Sequence, residues 1–296
     1  MHFTLQNSDL LAMVASGGAE LVSLKGRRSN LEYIWQATPK VWGRHAPILF
    51  PIVGRLQDDT LRFGAQTYSM RQHGFARDSE FSCVEQAPER ISLRLTANET
   101  TRSRYPFEFA LTVSYELLAQ QLKVSYSVEN CQDSPIYFSI GAHPGFTCPL
   151  LPGSQFDDYG LRWDENEILD RFYLGGGLQD GRTAPLMQQS NHLPLTHELF
   201  RDDALIVKSP KSQRISLVHR QKGAVLSLHF PNYPYLGIWT KPDPAAEFIC
   251  IEPWHGIADS EAVQTDFSQK EGIIALPAGE TFRCDYRIEV HPEAIG

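Results

Sequence analysis

Two segments of the sequence end an apolar run on a side chain that can transfer protons. His143 follows the run SIGA and precedes Pro-Gly, and Glu252 follows the run FICI and precedes Pro. An imidazole near its ordinary pKa can donate and recover a proton, whereas a carboxylate is normally ionised and can accept one. Proline lacks the N–H that a strand needs, and glycine tolerates positive φ, so the chain can turn away at both places. The pattern favours an acid–base site; the structural alternatives are a satisfied core histidine and a buried ion pair between Glu252 and an arginine.

Two further segments place polar groups next to apolar or turn-like sequence. Arg55 ends the run ILFPIVGR, and His73 lies in QHGFAR, directly after a predicted short hairpin. A guanidinium offers a fork of donors to ligand oxygens. Taken singly, each residue favours a structural interpretation, Arg55 as a surface arginine at a strand end and His73 as a solvated or structural loop histidine. Four such groups at the ends of elements in one chain favour a shared site.

Alternation with period two, the pattern of half-buried strands, predicts the elements that would position these groups. The segment FALTVSYELLAQQLKVSYSVEN predicts a hairpin, and LRFGAQTYSM predicts a shorter one that turns at Gly64. Further strands are predicted in RISLRLTA, RISLVHRQKGAVLSLHF and TFRCDYRIEV. The sequence therefore predicts an all-β protein, a single large antiparallel β-sandwich domain covering residues 1–296.

Helical periodicity is scarce, with short candidates only at 98–104 and 198–203. The segment 149–195 is rich in Gly, Pro and polar residues. We expect it to form long loops with weak strands over one face, not a separate domain.

Composition excludes several classes of protein. Of the 296 residues, 42% are hydrophobic and 21% charged, and the net charge of −8 argues against nucleic acid as a partner. No apolar run is long enough to span a bilayer, and the N-terminal sequence lacks the pattern of a signal peptide. Five cysteines without CxxC spacing predict reduced thiols, so a cytoplasmic location is expected.

Four motifs in order resemble the aldose 1-epimerases, the galactose mutarotase family: GR at 54–55, HGFAR at 73–77, GAHPGF at 141–146 and IEPWHG at 251–256. The last motif and GIWTKPD at 237–243 are similar to a bacterial branch of uncertain sugar specificity. The resemblance spans nearly the whole chain. It implies a galactose mutarotase-like supersandwich with a sugar-binding cleft on its concave face. It also implies exchange of the α and β anomers of a hexose without a cofactor or metal, with a small sugar as the binding partner and no membrane contact. We expect a monomer or a homodimer.

The resemblance implies roles for the four groups. His143 corresponds to the general acid, Glu252 to the general base, His73 to a second active-site histidine and Arg55 to a substrate-binding arginine. Such a pair can open a hemiacetal ring, because one group removes the proton of the C1 hydroxyl while the other protonates the ring oxygen.

The family also has an aspartate that binds sugar hydroxyls, which corresponds here to Asp203, with Asp202 as the alternative. Trp42, Trp239 and Trp254 are candidates for stacking on the apolar face of a sugar, although tryptophans in this kind of sequence are more commonly part of the core.

Other functions remain open at this point. A hexose-6-phosphate 1-epimerase would need more cations, for which Arg71, Arg77 and Lys241 are candidates. A non-catalytic carbohydrate-binding protein would not require an acid and a base. A glycosidase normally uses two carboxylates, and the sequence offers one at a strand end. The histidines lack the HxH or HxxxH spacing of a metal enzyme, although distant ligands can converge in space.

Overall fold

Strands make up most of the chain in the computed structural model, which describes residues 1–294. The first group of strands is β1 (His2–Gln6), β2 (Leu10–Ala15), β3 (Leu21–Gly26), β4 (Ile48–Leu49), β5 (Thr60–Phe63), β6 (Gln66–Ser69), β7 (Ser82–Ala87) and β8 (Arg90–Thr96). The second is β9 (Phe109–Leu118), β10 (Gln121–Asn130), β11 (Ile136–Phe138), β12 (Ile140–Ala142), β13 (Gly145–Thr147), β14 (Tyr159–Gly175) and β15 (Leu178–Pro194). The third is β16 (Leu205–Lys208), β17 (Arg214–His219), β18 (Gly223–His229), β19 (Tyr235–Trp239), β20 (Phe248–His255), β21 (Ile274–Leu276) and β22 (Thr281–Val290). The all-β prediction is confirmed.

One large antiparallel sheet organises the molecule. Its strands follow the order β4-β12-β20-β19-β16-β14-β17-β18-β22-β10-β9-β8-β7, with β13 paired to β20 and β15 to β14. Smaller sheets are formed by β1-β2-β3, by β5-β6 and by β11-β21. The predicted hairpins appear as β9–β10 and β5–β6, and the class is the large antiparallel β-sandwich that the sequence predicts.

Helical structure is short. The helix α1 (Glu99–Arg102) falls within the first helical candidate, and the Asn98 side chain caps it by accepting from the Thr101 N–H at 3.0 Å. The second candidate is a 3₁₀ turn, His197–Phe200. The remaining 3₁₀ turns within residues 1–294 are Gln57–Asp59, Ala76–Asp78, Phe156–Asp158, Phe267–Gln269 and Pro292–Ala294. None of the described helices has the length and apolar character needed to cross a membrane.

The prediction of long loops at 149–195 is wrong, because this segment contains two paired strands of 17 residues each, β14 and β15. Their register shifts at four places, including between Arg162 and Glu167 and between Phe172 and Leu174. The extra residues at these irregularities interrupt the side-chain alternation, so no continuous period-two pattern remains in the sequence.

Proline 253 does not end its strand as predicted, since β20 continues to His255. The N–H of Ile251 points towards the Pro144 carbonyl, and the nitrogen of Pro253 faces the same side two residues later. On that side β20 pairs with β13 only as far as Cys250, and its pairing with β12 starts at Trp254. Pro253 therefore fills the gap between two partner strands, where no ladder hydrogen bond is lost.

The main core packs the inner face of the large sheet against the three-stranded sheet. Alternate residues of β9 and β10, such as Val113, Tyr115 and Val124, are fully buried, and the Tyr115 hydroxyl donates to the Ala19 carbonyl at 2.7 Å. Two smaller apolar clusters lie near the β20 end of the sheet. Their members are Leu49, Val53, Ala204, Ile206, Trp254 and Ile257 in one, and Trp35, Ala246, Phe248 and Cys250 in the other.

Candidate active site

A cavity of about 240 Å³ opens where the loops before β4, β7, β13, β15 and β16 meet strands β19 and β20. It is lined by Trp42, Gly54, Gln72, His73, Arg77, His143, Leu174, Gly177, Asp203, Ala204, Ile206, Trp239, Glu252, Trp254 and Ala258. Six of the seven predicted site residues are in this lining. The exception is Arg55.

His143 and Glu252 form the centre of the cavity. His143 lies in the turn that joins β12 to β13, and Glu252 lies within β20, which pairs with both of these strands. The His143 Nε2 is 3.3 Å from the Glu252 Oε2. This contact lacks hydrogen-bond geometry, and within residues 1–294 neither Glu252 Oε2 nor His143 Nδ1 has a hydrogen-bond partner. Buried polar atoms are normally paired, so these atoms are available to a ligand.

Burial shifts the pKa values of Glu252 and His143 in opposite directions. Burial raises the pKa of the Glu252 carboxyl well above its usual range, the negative charge of Asp203 raises it further, and the Trp254 side chain acts in the opposite direction. Burial lowers the pKa of His143 to about 3. The pair in the ligand-free protein therefore favours a neutral imidazole beside a protonated carboxyl. A neighbouring carboxylate would by itself favour the imidazolium, but desolvation dominates at this depth.

His73 is held by two hydrogen bonds with one residue. Its backbone N–H donates to the Gly54 carbonyl at 2.8 Å, and its ring Nδ1 accepts from the Gly54 N–H at 3.1 Å. Burial, reinforced by His143, lowers the pKa of His73 well below its usual value, so the ring is neutral. Because Nδ1 accepts, the proton of the neutral ring is on Nε2, which can donate to a ligand. The turn is tight: His73 has φ of 67°, and a Cβ at Gly74 would lie 2.2 Å from the Phe50 carbonyl oxygen.

Arg55 lies outside the cavity lining, and each of its three guanidinium nitrogens donates a hydrogen bond. Its Nε and Nη2 donate to the Asp59 carboxylate at 2.7 and 2.8 Å, and its Nη1 donates to the Gly176 carbonyl at 3.0 Å. Gly176 and Gly177 form the turn between β14 and β15, and Gly177 lines the cavity. Arg55 thus contacts the tip of the long hairpin beside the cavity.

Asp203 lines the cavity, whereas Asp202 does not. The turn that carries them is fixed by the buried Arg171, whose Nη2 donates to the carbonyls of Asp202 and Asp203 at 2.7 and 3.0 Å. Asp203 has φ of 71°, and its carboxylate accepts from the Ala204 N–H at 2.9 Å. Because the backbone of Asp203 is left-handed, the side chains of Asp202 and Asp203 point in different directions.

Three tryptophans form aromatic walls. Trp42 stacks on the His143 ring with centroids 5.1 Å apart, and Trp239 meets the same ring edge-on at 5.8 Å. Trp254 packs across the backbone of β19, where a Cβ at Gly237 would lie 2.3 Å from its ring. Gly237 is opposite Glu252 in the ladder, so the missing side chain makes room for the indole.

Two polar lining residues, Gln72 and Arg77, were not assigned to the sugar site from the sequence. Gln72 directly precedes His73, and Arg77 lies four residues after it and entered only as a candidate for binding phosphate. Arg77 donates from Nη2 to the Gln72 carbonyl at 2.7 Å, while its buried Nε has no partner within residues 1–294. Their proximity to His73 in the sequence was the available signal.

Comparison with known proteins agrees with the fold. A family model described as aldose 1-epimerase matches residues 1–289. Protein LacX of Lactococcus lactis subsp. lactis is 33% identical over 98% of this chain and 99% of its own length. A galactose mutarotase related enzyme from Lactobacillus acidophilus has a TM-score of 0.93 at 34% identity, over 98% of this chain and 97% of its own. A galactose mutarotase-like protein from Lactobacillus casei has a TM-score of 0.92 at 35% identity, over 98% of this chain and 100% of its own.

These features define a galactose mutarotase-like β-sandwich with a buried His–Glu pair in an aromatic cleft. The chain belongs to the aldose 1-epimerase family, and it is an enzyme of the isomerase class.

Proposed function

We propose that the protein interconverts the α and β anomers of a free hexose by acid–base ring opening and reclosure. The observation that carries this proposal is the 3.3 Å separation of His143 Nε2 and Glu252 Oε2 inside the cavity. The hydroxyl and ring oxygens of a hemiacetal are bonded to the same carbon, C1. An acid and a base that serve both oxygens at once must therefore lie within reach of one sugar carbon, and this pair does.

The pair carries one proton in total, which burial places on Glu252, so the forward direction begins with its transfer to His143. Glu252 then removes the proton of the C1 hydroxyl, and protonated His143 gives a proton to the ring oxygen as the bond from C1 to the ring oxygen breaks. The products are an open-chain aldehyde, a protonated Glu252 and a neutral His143, the protonation state that burial favours. After rotation about C1–C2, Glu252 returns its proton to the carbonyl oxygen. His143 removes the proton of the attacking hydroxyl, and the ring closes on the other face.

The other lining groups would bind the sugar. His73 donates from Nε2 to a sugar oxygen, Asp203 accepts from hydroxyls, and Trp239 and Trp254 contact the apolar face of the ring. Arg55 supports the rim through its bond to Gly176. A volume of about 240 Å³ is below the usual range for drug-sized ligands, which favours one sugar ring over an oligosaccharide.

The test is the relaxation of freshly dissolved α-anomers, followed by polarimetry or by exchange NMR and corrected for spontaneous mutarotation. We expect Glu252→Gln to lower the catalysed rate by about 10²-fold or more. The matched control is Glu289→Gln, because Glu289 forms the other close His–Glu pair in residues 1–294, with His229 at 2.7 Å and outside the cavity. Equal rates for wild type and Glu252→Gln would refute the assignment. Sugar binding without catalysed exchange would favour the carbohydrate-binding alternative.

A second candidate is a hexose phosphate as substrate, which the position of Arg77 favours. Arg77 lines the cavity with an unpaired Nε, and Arg44 lies close enough to lower its pKa. Burial lowers the pKa of Arg77 to about 10, so the group is still charged at neutral pH and suits an anionic substituent. Rates on glucose, galactose and glucose 6-phosphate, each with wild type and Arg77→Gln, separate the two candidates. A selective loss on the phosphate ester supports the second.

We further propose that residues 1–296 act as one domain in the cytoplasm, as a monomer or a homodimer. The large sheet supports a single domain, because its strands come from the whole range between Ile48 and Val290. All five cysteines are free thiols, in keeping with a reducing compartment. Light scattering at several concentrations distinguishes the two assembly states.

A further inference from the structure

A thiol lies beside the proposed acid–base pair without a part in the proposed reaction. Cys250 and Glu252 are two residues apart in β20, so their side chains share a face of the strand. His143 approaches from the β12–β13 turn. One ligand atom from each residue, Sγ, a carboxylate oxygen and an imidazole nitrogen, lies within 4.8 Å of the other two.

The polar groups of this cluster have capacity for a ligand. Glu252 is only 2% exposed, lines the cavity and has no hydrogen-bond partner for Oε2 within the described residues. Cys250 is fully buried beneath it. The cavity provides the path by which an ion would reach the cluster.

We propose that this cluster is a binding site for a divalent cation of the zinc type, held by Cys250, His143 and Glu252. A thiolate, an imidazole and a carboxylate are the ligands that Zn²⁺ takes in proteins, and three protein ligands leave a fourth position towards the cavity. The ion replaces the proton of the Cys250 thiol and the proton that burial places on the Glu252 carboxyl, and both protons pass to solvent. The two anionic ligands then balance the charge of the cation, so no net charge is buried.

Occupation of this site would inhibit the enzyme. The ion takes both proton-transfer groups, so metal and sugar exclude each other. This consequence rests on the proposed function, whereas the binding site itself does not.

Binding is tested by titrating Co²⁺ into the full chain with the exposed Cys83 and Cys131 replaced by Ser, so that only the three less exposed thiols remain. We expect a thiolate-to-cobalt charge-transfer band, lost in Cys250→Ala and retained in Cys148→Ser. Cys148 is the matched control because it is equally buried and outside the cluster. Loss of Cys250 should weaken metal affinity by more than about 100-fold, the upper end of the effect of losing an outer-shell partner.

Absence of the band in wild type, or its persistence in Cys250→Ala, overturns the metal site. Where Cys250→Ala fails to fold, Glu252→Gln serves as the second variant, with a weakened band expected and an unchanged band counting against the site.

Inhibition is tested by adding Zn²⁺ to the anomer-exchange assay and then a chelator, with each variant normalised to its own metal-free rate. We expect wild type and Cys148→Ser to lose at least about 90% of their activity reversibly, and Cys250→Ala to keep most of its activity. A cobalt band without any anomer exchange leaves the metal site standing and refutes the proposed function. Anomer exchange without a band, or equal zinc inhibition of wild type and Cys250→Ala, refutes the metal site and leaves the proposed function standing.

Discussion

At the scale of residues, the proposed base is held in an environment that opposes its charged form. The pKa of Glu252 is raised in the fold, chiefly by burial, so the folded state binds its proton more tightly than the unfolded state does. Below about pH 4.5 the carboxyl is protonated in both the folded and the unfolded protein, so it does not lower the free energy of unfolding. As pH rises through the folded-state pKa, the buried charge costs free energy of folding.

Glu252→Gln should therefore raise the Tm at neutral pH while it abolishes activity. The gain should shrink as pH falls and vanish below about pH 4.5, which thermal unfolding over a series of pH values measures. Glu289→Gln should show no such gain, because that carboxylate is 26% exposed and bonded to His229. A Tm difference that does not change with pH would contradict the assignment of a buried, destabilised carboxyl.

Asp203 and Asp202 provide a matched pair for the sugar contact. We expect Asp203→Asn to raise KM about 10-fold or more, since it removes a charged hydrogen-bond acceptor from the cavity, and Asp202→Asn to leave KM within about twofold. Initial rates over a range of sugar concentrations make the comparison. A larger effect at Asp202 would reverse our choice between the two.

The residue types of the site could be predicted because His73 and His143 lie in turns that glycine and proline reveal, and Glu252 stands out as a carboxylate in an apolar run before a proline. The position of Arg55 could not, because it depends on Asp59 four residues away and on Gly176, which is 121 residues away. The same motif that placed His73 also contained Arg77, but the sequence does not show that its guanidinium faces the cavity.

At the scale of elements, the Arg55 side chain is one of the contacts that attach the tip of the β14–β15 hairpin to the cavity rim, beside the bond from the Gln179 side chain to the Ala258 carbonyl. Arg55 joins Asp59 to the Gly176 carbonyl, next to Gly177 in the cavity wall. Arg55→Gln removes the bidentate contact, so we expect KM to rise more than kcat falls, with faster hydrogen exchange at residues 175–177.

The control for this prediction is Arg182→Gln. Arg182 makes a similar contact with Asp180 in the same hairpin, but its side chain is 63% exposed and outside the cavity lining. If both variants have the same effect on KM, the contact to Gly176 is not what positions the tip.

Regular strands were predictable and irregular ones were not. The β9–β10 hairpin pairs without a register shift from Gln121 to Asn130, so its alternation is intact in the sequence. The bulges of β14 and β15 erase that pattern, and Pro253 conceals a continuing strand because its unpaired position depends on where β12 and β13 begin and end.

At the scale of the whole molecule, a strand near the C-terminal end of the sequence lies in the middle of the large sheet. β22 pairs with β18 on one side and β10 on the other, so it joins the part of the sheet that carries the cavity to the β7–β10 part. Ile288→Ala, at a fully buried position of this strand, should cost about 2–5 kcal/mol of stability. Chemical denaturation measures the loss. The control is Ile168→Ala, at a position that is 58% exposed. Equal losses would indicate that β22 does not couple the two parts.

The tryptophans of the cavity also give the protein a built-in optical reporter. Three of its five indoles, Trp42, Trp239 and Trp254, line the same small space, and two of them contact the proposed catalytic imidazole directly. Ligands that enter the cavity, or a proton that moves onto His143, change the surroundings of most of the emitting groups at once. Intrinsic fluorescence should thus follow occupancy of the cleft in an unlabelled protein.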